Sequence, residues 1–532
     1  MRRQLSVLVL AVAATASAEE ILGERIRAHT KFLSSDDLEG RGVGVRGERI
    51  ATDYLAAQLA LMGIKPAGDQ GTYFQRVPLV GVTTQPDAQL TATGQGGRRV
   101  EFQWLQDFVG TNYQQQPKAV FDGDVIFVGH GITAPEFGWD DYKGVDVKGK
   151  VVALFTNEPP SDDPKFFGGK ALTYYGRWTY KYENAARHGA AAVLILHTTP
   201  TAGYGWDVVK SSWGREDTQV KLPAGQPGLA LAGWLSQEAS QKFASLAGRK
   251  AEDLLAAAGQ RGFQAFPLGG ARVAGNITSK IRTIDSRNVI GRVEGSDPKL
   301  KEEVVVFSAH WDHLGVGAPV AGDAIYNGAV DNATGCAMVL EIGRAWASLQ
   351  TRPRRSALFL FVTAEEGGLR GSQYYGTAPV VPAARTALNL NYDAFYPFGK
   401  TADVVVTGAE RTTVWPTVQE VAKQFQLSIK PDPRPEQGLF YRSDHFSLAK
   451  AGIPAFSIKG GNEFLGKPAD FGTRFFQEYN AKNYHQPSDE YREDWDFAGM
   501  EQMARFGFTL GMRIANDPKM PAWLPGDEFA RK

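Results

Sequence analysis

Between Ile21 and Ile64 the chain reads "ILGERIRAHTKFLSSDDLEGRGVGVRGERIATDYLAAQLALMGI". Apolar residues recur there at spacings of three and four, which predicts two amphipathic helices around a Gly/Arg-rich loop, with Gly63 closing the second. From 118 to 271 the texture changes. Short β-type runs, "DVIFVG", "KVVALF", "AAVLIL" and "GLALA", alternate with the turn-rich stretches "APEFGWDDYKG", "NEPPSDDP" and "LPAGQPG", and one helix is expected at "KYENAARHGA". Helix-rich patterning resumes only afterwards, so residues 118–271 read as a small β-rich domain inserted between an N-terminal part, 19–117, and a main part, 272–532. In the main part, strands are expected at "EVVVFSA", "ALFLFVT", "ALNLNY", "DVVVTG" and "IPAFSI", and helices at 335–349, 413–426 and 495–515. Continuous apolar strands alternating with helices imply an α/β fold with a mixed, mostly parallel sheet sandwiched by helices.

Length and charge narrow the possibilities. At 532 residues the chain exceeds what one core of about 250 to 300 residues holds. The 58 basic and 58 acidic residues cancel, leaving no field to attract nucleic acid or an anionic membrane. Residues 1–18, "MRRQLSVLVLAVAATASA", combine a basic start, a short apolar run and a small-residue end. That is the pattern of a secretory signal cleaved after Ala18, with a secreted or periplasmic product, and no other stretch predicts stable membrane insertion. A single cysteine, Cys336, excludes an internal disulfide framework and reads as a buried small hydrophobe on a helix face.

In such a sheet, ligands bind beyond the carboxyl ends of the strands. The polar residues there are "SAHWDHLG" after the first strand of the main part, "AEEGG" after the second and "NYDAF" after the third, with "NGAVDNATG" in the connection from the first strand to its helix. Four segments thus deliver His310, Asp331, Glu366 and Asp393 to one edge, and the polar loop "NYHQPSDEY" offers His485. Imidazole nitrogen and carboxylate oxygen are ligands that suit zinc.

Taken in order, "SAHWDHLG", "GDAIYNGAVDNATG", "TAEEGGLRGSQYY", "NLNYDAF" and "YHQPSDE" resemble the co-catalytic zinc aminopeptidase family, which includes bacterial leucyl aminopeptidases, glutamate carboxypeptidase II and the glutaminyl cyclases. "SSDDLEGRGVGVRGERIATDYLAAQL" resembles that family's N-terminal segment, and "VIFVGHGITAPEFGWDDYKGVDVKGKVVALF" resembles the protease-associated insert of some members. The resemblance implies the zinc exopeptidase fold and two zinc ions per chain, with peptides as substrates. It implies that His310 and Asp393 hold different ions, that Asp331 bridges them, and that Glu366 shares an ion with either His310 or His485. Asp312 would orient a ligand imidazole through its other nitrogen. Glu365 would act as general base on the bridging water. Two adjacent carboxylates are tolerable where dications compensate them; an ion pair of either glutamate with Arg370 is the plainer alternative.

"YRSDHF" sets Ser443, Asp444 and His445 in direct succession, which imitates a serine-hydrolase set, but a triad is spatial rather than sequential. The loop is expected to line the pocket, where Tyr441 would donate to an oxyanion or Arg442 would meet a substrate carboxylate. His313 is expected to stabilise its loop. The leading expectation is a zinc aminopeptidase; the alternatives are a glutaminyl cyclase-like acyltransferase with a single zinc and a dipeptidase or carboxypeptidase of the same family. Side-chain preference and oligomeric state are not legible.

Overall fold

The computed structural model describes residues 20–223 and 225–530; the signal pattern at 1–18 lies outside them. At the centre, four strands run parallel in the order Ala455–Ser457, Thr386–Asn391, Val304–His310, Ser356–Val362. The sheet continues antiparallel through the far half of Phe266–Val293, then Phe74–Thr84 and Asp217–Val220. Alternate residues of the central strands face opposite layers. Val305, Phe307 and Ala309 pack on the N-terminal helices, Gly23–Leu33 and Arg46–Leu61, and on Thr334–Ala347 and Ala498–Asn516. Val304 and Val306 face the other layer with Tyr375, Phe446 and Leu448. The helix Thr334–Ala347 is apolar nearly all round and buried nearly all round, as a helix held between a sheet and two other helices must be. Among the described residues, no helix is long and apolar enough to cross a membrane.

The second lobe has its own sheet and core, but the expected edges at 118 and 271 do not hold as structural breaks. Strands Gln89–Thr93, Arg99–Phe102 and Phe108–Thr111 pair into the same sheet as Lys118–Phe127, Val151–Leu154, Ala192–Leu196 and Leu231–Leu235. The 28-residue strand Phe266–Val293 runs through both sheets: residues 266–278 pair with Lys118–Phe127, and residues 279–293 pair in the central sheet. The lobes also share a hydrophobic layer in which Ile132, Trp139, Phe167 and Tyr180 pack with Val304, Val306 and Leu358. A further difference concerns "DVVVTG". Asp403–Val405 leaves the central sheet for a small ribbon with Ser428–Lys430 and Lys459–Gly460, fixed by the buried Asp403 carboxylate, which accepts the backbone N–H of Asn462 and Glu463.

Candidate metal centre

His310 is the last residue of its strand, and the two neighbouring parallel strands end on either side of it, delivering Glu365 and Glu366 on one flank and Asp393 on the other. Asp331 comes from the irregular turn Ala329–Ala333 that opens the helix Thr334–Ala347; its peptide bond to Asn332 is cis. His485 follows the helix Phe471–Lys482. The distances define two groups that meet at Asp331. Oδ1 of Asp331 lies 3.2 Å from His310 Nε2, which is 3.3 Å from Asp393 Oδ1. Oδ2 lies 3.5 Å from His485 Nε2, which is 3.0 Å from Glu366 Oε2. His310, Asp331 and Glu366 each offer a ligand atom within 4.8 Å of the others. This corrects one expectation and completes another. His310 and Asp393 stand together rather than on separate sides, because their strands are neighbours, and Glu366 stands with His485.

Local sequence explains how these side chains are held. Asp312 is fully buried, and its carboxylate accepts the backbone N–H of Glu365 at 3.1 Å and of Glu366 at 3.3 Å, fixing the turn that carries both glutamates. Its Oδ1 is 3.8 Å from His310 Nδ1, whereas its own carbonyl is 3.2 Å away, so its main-chain oxygen is the nearer partner of the imidazole. Asn332 ties the Asp331 turn to the Asp393 loop: its Nδ2 donates to Tyr392 O, and its Oδ1 accepts from Gly335 N and Ala394 N. Asp489 accepts from the backbone N–H of Val330 and Asp331, both at 3.1 Å, coupling the His485 loop to the Asp331 turn. Arg41 is buried and donates to the carbonyls of Trp311, Asn327 and Gly328. Gly328 is required where it stands: its φ is +57°, and a Cβ there would lie 2.2 Å from Asp331 O and 2.5 Å from His313 Cγ.

Ser443 has a specific task. Its hydroxyl donates to Asp393 Oδ2 at 2.6 Å and accepts from Asn391 Nδ2 at 2.8 Å, so "YRSDHF" steadies Asp393 and forms no relay. One other expectation about this loop, the one for Tyr441, needs correction. The Tyr441 hydroxyl is turned to Glu528, at 2.8 Å, within a buried aromatic layer, and Arg442 is exposed. The tyrosine beside the centre is Tyr484, whose ring stacks on His485 with centroids 3.8 Å apart. Arg370 pairs with neither glutamate; it lies 3.5 Å from Asp217 and donates to Thr218 O and Gly367 O. His313 Nδ1 comes within 2.6 Å of Glu366 Oε1, and Cys336 is buried, its thiol donating to His310 O. The supporting roles of Arg41, Asn332 and Asp489 did not emerge from residue types, although Arg41 lies in "DDLEGRGVG" and Asp489 in "YHQPSDE".

Burial of so many acids distorts their acidity. Burial raises the Glu365 carboxyl well above the ordinary range, with Glu366 and Asp393 acting in the same direction against His310. Burial acts likewise on Asp331 and Glu366, yet both are held low, Asp331 by hydrogen bonds to His310 and His485, and Glu366 by His485 and His313. Burial works against protonation of His485, but Glu366 and Asp331 raise it to about 10. The cluster therefore draws positive charge. Glu366 Oε1, 2.6 Å from His313 Nδ1, and His485 Nε2, 3.0 Å from Glu366 Oε2, are shielded from solvent. Three carboxylates and two imidazoles whose ligand atoms converge at 3.0 to 3.5 Å fit divalent cations of the zinc type.

Residues 288–506 match the model of peptidase family M28. The chain is 26% identical over 202 residues to leupeptin-inactivating enzyme 1 of Streptomyces exfoliatus, a match covering 36% of this chain and 41% of that one. It is 26% identical over 211 residues to a vacuolar membrane protease of Verticillium alfalfae, covering 40% of this chain and 17% of that one. The chain thus matches less than half the length of either relative. Among solved structures, an aminopeptidase from Aneurinibacillus sp. strain AM-1 shares the fold over 94% of this chain and 96% of its own, with TM-score 0.51 and 19% identity.

Proposed function

We propose that this chain, whose residues 288–506 match the model of peptidase family M28, is a zinc-dependent exopeptidase that removes N-terminal residues from peptides. One observation carries the reading: the two oxygens of Asp331 address two separate His–carboxylate pairs. His310, Asp393 and Asp331 would hold one ion; His485, Glu366 and Asp331 would hold the other. Two zinc ions, when bound, supply Lewis acidity for the scissile carbonyl and lower the pKa of a shared water toward about 7. Glu365 is the one carboxylate of the group outside both pairs. Held by its amide to Asp312, it would take the proton of the attacking water and return it to the leaving amine. The Tyr484 phenol, stacked on His485, would donate to the carbonyl oxygen as it gains charge. The second lobe, read as protease-associated in type, would roof the cleft, and the pattern at 1–18 supports export.

A panel of aminoacyl anilides and short peptides, with zinc measured per chain, tests this. Two zinc ions per chain are expected, with activity abolished and thermal stability lowered by chelation and both restored by zinc, because an ion that binds only the folded state stabilises it. Full turnover after metal loss verified by elemental analysis would overturn the reading. One zinc per chain together with cyclisation of N-terminal glutamine would favour the acyltransferase alternative.

A further inference from the structure

Arg177, Arg434 and Arg442 gather where the second lobe rests on the catalytic domain. Arg177 follows the turn Tyr174–Gly176, and Arg442 ends the turn Leu439–Arg442. The two turns are in direct contact: Leu172 N donates to Pro435 O at 3.0 Å, and the Tyr174 and Tyr441 rings stack with centroids 6.2 Å apart. Arg177 is half-buried, and its Nε is shielded from solvent without a hydrogen-bond partner. Burial lowers its pKa to about 10, and the Arg442 guanidinium acts in the same direction. Burial also lowers Arg434 against the opposite pull of Tyr396, Asp432 and Glu436, and Arg442 adds to the lowering. Arg434 lies flat on the Phe476 ring, 3.7 Å from its centroid, and the adjacent Asp432 carboxylate accepts Arg434's own backbone N–H. Among the described residues none of the three guanidinium groups makes an ion pair. Arg355 and Arg411, by contrast, are met by carboxylates, Glu303 and Asp527.

Like charges brought together repel, and a half-buried guanidinium with an unmet N–H loses hydration without return. An anion relieves both costs. Position says which anion. Arg434 lines, with Tyr396, Phe476 and Ser443, a cavity of about 370 Å³, and the hydroxyl of that same Ser443 donates to Asp393. Arg442 is the residue next to Ser443. The arginines therefore begin beside the metal centre and lead away from it to the second lobe. A guanidinium fork pairs with both oxygens of a carboxylate.

We propose that Arg177, Arg434 and Arg442 form a carboxylate subsite shared between the two lobes, which holds the free C-terminal carboxylate of a short peptide whose first bond lies at the Asp331 centre. This rests on the exopeptidase reading and adds to it a substrate class: short peptides with a free C-terminus.

The test is kcat/KM of the zinc-loaded protein on a tripeptide as free acid and as C-terminal amide, beside an uncharged aminoacyl anilide. The free acid is expected to be favoured by roughly ten- to a hundredfold, the worth of a charged hydrogen bond. Arg442→Ala and Arg177→Ala should bring the acid-to-amide ratio toward one, and Arg442→Lys should keep part of it. Because Arg442 is exposed, its replacement leaves the core intact. A wild-type ratio near one with good anilide turnover overturns the subsite and leaves the exopeptidase standing. A large ratio that neither alanine variant changes overturns the assignment to these arginines. A ratio near one with a preference for Glu over Gln at the third position of amidated peptides replaces the C-terminal carboxylate by an acidic side chain and overturns the proposal. No turnover of anilide or peptide overturns the exopeptidase reading and the subsite with it.

Discussion

The second lobe and the central sheet each bury a cluster of carboxylates, and they satisfy them differently. In the second lobe, Asp141 and Glu158 share their surroundings with Lys181, all three buried. Lys181 Nζ donates to Asn157 O at 2.8 Å and Tyr175 O at 2.6 Å; Asp141 accepts from Ile132 N and Trp139 Nε1; Glu158 accepts from Thr173. Burial moves the lysine down to about 7 and both acids up to about 7, each against the pull of its partners. Around Asp331 the carboxylates are met by the imidazoles of His310, His313 and His485, side chains of a type that also binds metal. The first cluster is closed by the chain itself, so its role is structural. The second is met by imidazoles, which exchange a proton for a metal ion, and that separates a candidate site from a buried ionic network.

The comparison is sharpened most by the two adjacent glutamates. Glu365→Gln is expected to retain both ions while turnover falls by roughly 10²- to 10⁴-fold, the usual loss with a general base. Glu366→Gln should weaken or lose one ion, because an anionic ligand has been taken from a dication. Zinc titration separates the two variants even though both are slow. Metal loss in Glu365→Gln with full retention in Glu366→Gln would reverse their roles. Next in size is Lys181→Met, which removes the only cation of the closed cluster. It should cost about 3 to 5 kcal/mol of stability, as leaving a buried charge unpaired does, while zinc content stays at the wild-type value. Denaturant unfolding that shows no loss would mean that this network is not what secures the lobe. The smallest effect is expected for Ser443→Ala. Removing the hydrogen bond behind Asp393 should weaken metal affinity or activity by roughly 10- to 100-fold, and a competition titration with a chelator measures it directly. Unchanged affinity would leave Ser443 as packing alone.

Much of the half around the central sheet was legible because its strands are uninterrupted apolar runs with acids and histidines directly after them. His310, Asp393, Glu366, Asp331 and His485 announce themselves by residue type and place, and the structure gathers all five. How they divide between the two sides of Asp331 was not legible. That division follows from Val304–His310 lying between Ser356–Val362 and Thr386–Asn391, and strand order is a property of tertiary pairing rather than of any one segment. The same limit hid the true extent of the second lobe. Gln89–Thr93 finds its partner near residue 274, and nothing local to "QLTAT" states that. Asp489 and Arg41 were obscure for another reason: their partners are backbone groups, which leave no trace in residue identity.

The strand Phe266–Val293 also sets an order of events during synthesis. A chain emerging N-terminus first can assemble the second lobe and pair residues 279–289 with Phe74–Thr84 before Val304–His310 and Ser356–Val362 exist. Until Ser356–Val362 arrives, residues 289–293 present an unpaired edge carrying Val289, Ile290 and Val293, all buried once folding is complete. The nascent protein is therefore most exposed to edge-to-edge association in that interval, and a chaperone that masks a hydrophobic strand edge would act on it there.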